Sequence, residues 1–280
     1  MTSIICYNIQ NLRPIELGDL VRIGNLGDGG YILSKSQIEK SKILLSFGIN
    51  HDWSFEWDFI KNRNVILHGF DYSISKEMFC KSAIIKKIFE ALKLFFFKRQ
   101  FSVASRMLEW ARNKKHFPFW EMFNEKKNRF FHKFFLGNAD NEQFISVASV
   151  FKYIEKENLK ELGIFVKMDI EGCEYGVLPD FEPYFEFING FVIEFHDLDC
   201  KGQQFEIAIE NLKKTFYISH IHANNCVSII RGTALPSVLE ITFINKKMLN
   251  VTPILSTKEY PIENLDTPCY LSAPDLPICF

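Results

Sequence analysis

Short apolar runs that end in glycine or an acid recur along the chain, separated by stretches whose apolar residues fall at helical spacing. Residues 42–48, 64–71, 163–169 and 191–196 each read as a buried strand running into a turn. Residues 54–60 read as the start of a helix with Ser54 as its N-cap. The stretch 144–159 carries Ile145, Ala148, Val150, Phe151 and Ile154 at helical spacing, and 203–215 reads as another helix. Residues 216–222 and 238–244 read as later strands, the second with regular alternation; the mixture of Phe and Lys makes 130–136 a weaker strand. The Gly- and Asp-rich stretch 24–31 marks a bend with positive-φ positions. Strands alternating with helices predict an α/β fold with a largely parallel sheet. Ligands of such sheets sit beyond the carboxyl ends of the strands. The Gly48 turn, Asp71, Asp169 and His196 all fall at such ends.

Composition narrows this without changing it. The chain has 280 residues, 47% hydrophobic and 24% charged. That fits one large domain, 1–280, and excludes wholesale disorder. A net charge of −1 argues against a nucleic-acid binder. The seven cysteines are scattered and form no C-x-x-C pair, so the chain reads as neither a disulfide scaffold nor a zinc knuckle. Reduced thiols, no signal-peptide pattern in residues 1–11 and no apolar run of about 18 residues predict a soluble cytoplasmic protein.

Charge is unevenly spread. Residues 81–135 hold fourteen Lys/Arg against four Glu, with fourteen aromatics, and read as a helical insertion. It packs on the main domain, covers the site as a lid, docks an anionic substrate, contacts an anionic membrane face, or forms an interface in a homo-oligomer.

Three segments carry candidate chemistry. Asp169, Glu171 and Glu174 follow an apolar strand, with Gly172 allowing a tight turn. Acids so close together are costly unless they bind a cation, accept hydrogen bonds or reach water; Glu174 reads best as a cap of the following helix. His196, beside Asp197 and Asp199, suits a general base, or a hard-metal site together with Asp169. His220 and His222 share a strand face, and Asn224 and Asn225 either bind a hydroxyl-rich ligand or make a turn. After strand 42–48 there is no G-x-G-x-x-G, so a nicotinamide fingerprint is absent; Gly48 and Asp71 supply only a bare turn and an acid at a second strand end.

Taken in order, Arg22-Ile23-Gly24, Asp28-Gly29-Gly30-Tyr31, Ser46-Phe47-Gly48-Ile49, Phe70-Asp71, Lys167-Met168-Asp169-Ile170-Glu171-Gly172-Cys173-Glu174-Tyr175, Ile193-Glu194-Phe195-His196-Asp197, His222-Ala223-Asn224-Asn225 and Glu240-Ile241-Thr242-Phe243 resemble the FkbM-type methyltransferases. The likeness covers roughly 20–79 and 136–245 and leaves the insertion without a counterpart. It implies a Rossmann-like class I methyltransferase sheet with helices on both faces. It implies S-adenosylmethionine as cofactor and O-methylation of a sugar, surface-polysaccharide precursor or secondary-metabolite hydroxyl. By the same resemblance Phe47 and Gly48 pass the methionine part of the cofactor, and Asp71 with Tyr72 holds the ribose. Asn138 and Asp140 lie near the adenine, and Asp28, Gly30 and Tyr31 cover the cofactor. Asp169 meets its methionine end. Catalysis then falls to Asp169, His196 or His222, and acceptor binding to Glu171, Asn224 and Asn225. A divalent ion between Asp169 and the His196 region is the less favoured version. Two alternatives stand beside it: a phosphorylated or otherwise anionic acceptor, and a non-catalytic partner-binding protein on the same scaffold.

Overall fold

The computed structural model describes residues 9–50, 52–74, 122–123, 128–155, 162–233 and 235–280. Most of the expected insertion, 81–135, therefore lies outside the described residues.

A hairpin, β1 (Leu20–Ile23) and β2 (Tyr31–Ser34), opens the described fold. The bend between them holds Gly24, Gly27 and Gly29 at positive φ, as the sequence predicts. Helix α1 (Lys35–Lys40) follows at once, because Ser34 and Gln37 form a capping box. Then come β3 (Ile43–Phe47), α2 (Ser54–Asn62), β4 (Ile66–Phe70) and β5 (Arg129–His132). A small parallel pair, β6 (Phe135–Gly137) and β7 (Phe144–Ser146), precedes α3 (Val147–Ile154). The remaining elements are β8 (Ile164–Met168), α4 (Glu174–Val177), β9 (Ile188–Phe195), α5 (Leu198–Thr215), β10 (Phe216–Ala223) and β11 (Leu239–Asn245).

Seven strands form one sheet in the order β10-β11-β9-β8-β3-β4-β5. All neighbours are parallel except those of β11, which runs antiparallel to both. From β3 the chain winds outward through β4 and β5, then crosses to β8 and β9 on the other side. The strand order reverses between β3 and β8, which is the switch point where open α/β sheets bind ligands. Helices cover both faces, and the fold is the Rossmann-like α/β sheet expected.

Alternation along the strands splits the core in two. Ile43, Leu45, Phe47, Ile164, Val166, Met168, Phe191, Ile193 and Phe195 pack with α3, α4 and α5. Leu44, Phe165 and Val192 pack on the opposite face with Ile38, Phe55 and Phe59 of α1 and α2. Several local expectations need correction. Ser54 is the first residue of α2 rather than its cap: its N–H donates to Asp52 Oδ1 (2.8 Å) while its hydroxyl accepts from Asn25 N–H. Residues 144–146 are a strand, since Phe144 and Ile145 satisfy strand and helix spacing alike. The weak strand 130–136 divides into β5 and β6, so the C-terminal end of the expected helical insertion belongs to the sheet. Helix α5 begins at Leu198, five residues before the expected 203. Among the described residues no helix is long and apolar enough to cross a membrane, and no disulfide forms.

Candidate functional site

The strand residues that face α1, α2 and the hairpin are not all apolar. At the carboxyl edge of the sheet they form a row of polar side chains. His222 on β10 is paired across the ladder with Glu240 on β11, and Glu240 with Glu194 on β9. Lys167 on β8 is paired with Ser46 on β3. All five are buried. Charged side chains in such places are rare unless partnered, and these are. Lys167 Nζ donates to the Gly48 carbonyl and lies 3.5 Å from Asp169 Oδ2. Burial works against its charge, but Asp169, Glu56 and Glu194 outweigh burial and raise its pKa. Burial raises Glu56, whose carboxylate accepts from the Ser46 hydroxyl.

Gly48 and Asp169 meet at the switch point. Gly48 has φ +74°, and a Cβ built on it would run into the Asp169 carbonyl oxygen, so only glycine fits. The turn beyond it is fastened by Asp71 at the end of β4. Asp71 Oδ2 accepts from Asn50 N–H (2.6 Å), and Oδ1 accepts from the backbone and hydroxyl of Ser73 (2.7 and 2.6 Å). A carboxylate accepts about four hydrogen bonds, so one further donor can be taken.

Beyond β8 the chain turns sharply, with Glu171 at φ +55° and Gly172 at φ +94°. Glu174 folds back into this turn. Its Oε1 accepts from the N–H groups of Ile170 (3.3 Å) and Gly172 (3.1 Å) and lies 2.9 Å from His196 Nδ1. The expected helix cap does not form: Cys173 holds the cap position of α4 with no side-chain hydrogen bond, and Glu174, the first residue of the helix, instead holds the preceding turn and orients His196. The other ring nitrogen, Nε2, lies 3.7–3.8 Å from carboxylate oxygens of Asp169, Glu171 and Glu194. Burial opposes protonation of His196, yet Glu174, Asp169 and Glu171 together raise its pKa. Ligand atoms of Asp169, Glu171 and His196 lie within 4.8 Å of one another, close enough to share a cation.

The hairpin bend closes the other side. Tyr31 hydroxyl donates to Glu194 Oε2 (3.2 Å), and Asn224 Nδ2 donates to Glu194 Oε1 (2.9 Å). Burial, then Asp169 and Glu240, raise the Glu194 pKa well above the usual carboxylate range. Burial, then Asp169 and Glu194, likewise raise Tyr31. Asp28 as a residue is exposed, yet protein crowds its carboxyl: burial, then Glu240, Asp169 and Asp52, push its pKa up to about 7. Gly30 sits beside it, where a Cβ would strike the Asn25 carbonyl.

Asp169, Glu171, His196, Asp28, Tyr31 and Asn224 therefore converge around Glu194, with the Gly48 turn and Asp71 adjoining. Other expected residues have different surroundings. The Phe47 side chain is in the core, stacked on Phe70, and its carbonyl accepts from Asp169 N–H (3.1 Å), so Phe47 is a buried strand residue rather than a cofactor contact. The Tyr72 ring packs on Phe135. Asn138 Nδ2 donates to the Gly176 carbonyl, while Asp140 accepts from Ser149 hydroxyl and Ser146 N–H, bonds that lower its pKa. Asn225 fastens the loop 270–274. His222 is buried with both nitrogens engaged, by Glu240 (3.2 Å) and Asp275 (3.0 Å). Burial opposes its charge, but those acids raise its pKa to about 10. Lys167, Glu194 and Glu240 were not singled out from sequence as site residues. Their signal was available: each is a lone charge inside an apolar strand. A cavity of about 440 Å³ between Asn11–Leu12 and α5 shares none of these residues.

No family model matches the chain, and no curated protein matches it. Several solved structures are similar at low level, three of them as follows. A chain of a fibrillarin/Nop5p complex is 11% identical, with 74% of this chain and 73% of that one covered and a TM-score of 0.34. The fibrillarin pre-rRNA processing protein of Methanococcus jannaschii is 14% identical over 82% and 84%, at TM-score 0.34. A candidate S-adenosylmethionine-dependent methyltransferase from Streptococcus mutans is 11% identical, with 82% of this chain covering 56% of that one, at TM-score 0.35. Likeness at this level carries no functional argument; the residues of the site do.

Proposed function

We propose that this protein is an S-adenosylmethionine-dependent O-methyltransferase acting on a hydroxyl of a small molecule, with a sugar or nucleotide sugar of surface-polysaccharide synthesis as the leading acceptor class. The observation that carries this reading is the switch point, where bare Gly48 backbone meets Asp169 and Asp71 closes the neighbouring strand. Numbered along the chain, the seven strands run 3-2-1-4-5-7-6 with the seventh antiparallel, and the FkbM resemblance implies a Rossmann-like sheet with helices on both faces.

The residues present fit the cofactor. The Gly48 turn offers backbone without side-chain bulk, and Asp71 has acceptor capacity left for one hydroxyl of a ribose. S-adenosylmethionine, when bound, supplies an electrophilic methyl group. The chain's own part is to align the acceptor oxygen and take its proton. His196 suits the role of proton acceptor, because Glu174 fixes Nδ1 and Nε2 faces the space bordered by Asp169 and Glu171. Asp169 and Glu171 then orient the acceptor's hydroxyls. The acidic side chains of Asp28, Asp169, Glu171 and Glu194 favour a neutral, polyhydroxy acceptor at this point; any phosphate of a nucleotide sugar lies away from them. The shared reach of Asp169, Glu171 and His196 supports a second version, in which a divalent ion at these residues lowers the acceptor's pKa.

Calorimetric titration with S-adenosylmethionine, with and without Mg²⁺, tests the reading. Wild type binds, and Asp71→Ala binds about ten- to a hundredfold more weakly, the worth of a charge-assisted hydrogen bond. The variant's melting temperature reports separately whether the Gly48–Asn50 turn has loosened. Absence of binding by wild type in either buffer overturns the proposal.

A further inference from the structure

One cluster at the end of the polar row is left unused by methyl transfer. Cys269 Sγ lies 3.0 Å from Glu240 Oε1, His222 Nδ1 lies 3.2 Å from Glu240 Oε2, and Sγ lies 3.8 Å from Nδ1. All three residues are buried, and their ligand atoms lie within 4.8 Å of one another. We propose that His222, Glu240 and Cys269 form a binding site for a zinc-type divalent cation, distinct from the Asp169–His196 centre.

Geometry supports this first. A tetrahedral zinc ion bonds sulfur at about 2.3 Å and nitrogen or oxygen at about 2.0–2.2 Å, which sets its ligand atoms about 3.4–3.6 Å apart. The observed separations of 3.0–3.8 Å bracket that range, so the ion needs only small side-chain adjustments. The donor set comes second. A thiolate with an imidazole and a carboxylate selects zinc over magnesium or calcium, which prefer oxygen alone.

The surroundings are those of a built site. His222 Nε2 lies 3.0 Å from both oxygens of Asp275, a carboxylate behind the ring that fixes its orientation and leaves Nδ1 to face the other ligands. The loop bearing Cys269 and Asp275 is itself fixed. Asn225 Nδ2 donates to the carbonyls of Tyr270, Ala273 and Pro274, and Asn225 Oδ1 accepts from Tyr270 N–H (2.7 Å). From the other side, Asp28 N–H donates to the Cys269 carbonyl (3.2 Å), which joins the cluster to the glycine-rich bend. In this site the cation replaces the His222 Nδ1 proton and the Cys269 thiol proton, both released to solvent. Three protein ligands leave a fourth position for water or a ligand oxygen. The ion fastens the C-terminal segment to β10 and β11.

Cobalt titration of chelator-treated protein tests this without reference to methyl transfer. Wild type is expected to take up cobalt with a thiolate-to-cobalt charge-transfer band, and Cys269→Ser is expected to lose that band. Cobalt bound without the band, a band that survives in Cys269→Ser, or no uptake at all each overturns the proposal; the first places the ion on sulfur-free ligands such as Asp169, Glu171 and His196. Should Cys269→Ser fail to fold, Asp275→Asn decides, because it leaves all three ligands in place. Its affinity falls about ten- to a hundredfold with the band retained, and unchanged affinity overturns the proposal.

Discussion

At the scale of residues, the pairing of His196 with Glu174 makes the strongest claim on chemistry. Glu174 is fully buried, holds the turn after β8 through two backbone N–H groups, and stands 2.9 Å from His196 Nδ1. Burial lowers the imidazole pKa, while the Glu174 hydrogen bond and charge, then Asp169 and Glu171, raise it further than burial lowers it. A base must be deprotonated to accept, so methyl transfer by this route rises with pH through a midpoint above the ordinary histidine value of 6.5. Glu174→Gln keeps a hydrogen-bond acceptor but removes the charge. Its acidic limb in kcat/KM is expected to move to lower pH, with kcat at the plateau reduced less than in His196→Ala. A limb that stays in place in Glu174→Gln assigns the titration to another group and removes His196 as the base. The same pairing shows what a linear reading loses. Glu174 after a strand and a glycine reads equally as a helix cap, and only the fold brings it beneath a histidine from the next strand.

At the scale of elements, the apolar runs were legible because a strand buried on both faces must be apolar almost throughout. Strands β3, β4, β8, β9, β10 and β11 fall where the runs are. The β1–β2 hairpin and β7 were not legible, because three or four residues are too few to show a period. The polar row was hidden for a different reason. His222, Glu240 and Glu194 lie on three strands whose adjacency depends on β11 entering between β10 and β9, and spacing along the chain carries no trace of that insertion. The opposite, apolar face rests on aromatic packing. Phe181, fully buried in the short helical stretch Leu178–Tyr184, meets Phe47, Phe151 and Phe191 edge-on with centroids 6.1, 6.1 and 5.7 Å away. Phe181→Ala is expected to cost about 3–5 kcal/mol, read as a lower denaturant midpoint at constant slope. A loss below about 1 kcal/mol means the neighbouring rings collapse into the space and the face is not packed as described.

At the scale of the whole molecule, the C-terminal segment acts as a strap across the sheet edge. It is joined at its start by the Ile15–Leu255 bridge and by Ser256 N–H donating to the Pro14 carbonyl (2.8 Å). Further along, Asp266 Oδ2 lies 3.1 Å from His220 Nε2 and accepts from Ile262 N–H (2.6 Å). Burial raises the Asp266 pKa, but the charge and hydrogen bond of His220, then the charge of His222, lower it by more, so it ends below the ordinary aspartate value of 3.8. A carboxyl with a depressed folded pKa adds stability above its unfolded value and loses it as pH falls through the lower folded value. The strap is therefore expected to stay closed through the range where ordinary carboxylates titrate and to open only below it. Hydrogen exchange of residues 255–280 on acid titration reads this directly. Asp266→Asn keeps the shape but not the charge, is expected to cost about 1.5–3 kcal/mol at neutral pH, and makes the strap's protection independent of pH below about 4. Protection that collapses in wild type above about pH 4 places the controlling acid elsewhere and removes the His220–Asp266 pair as the clasp.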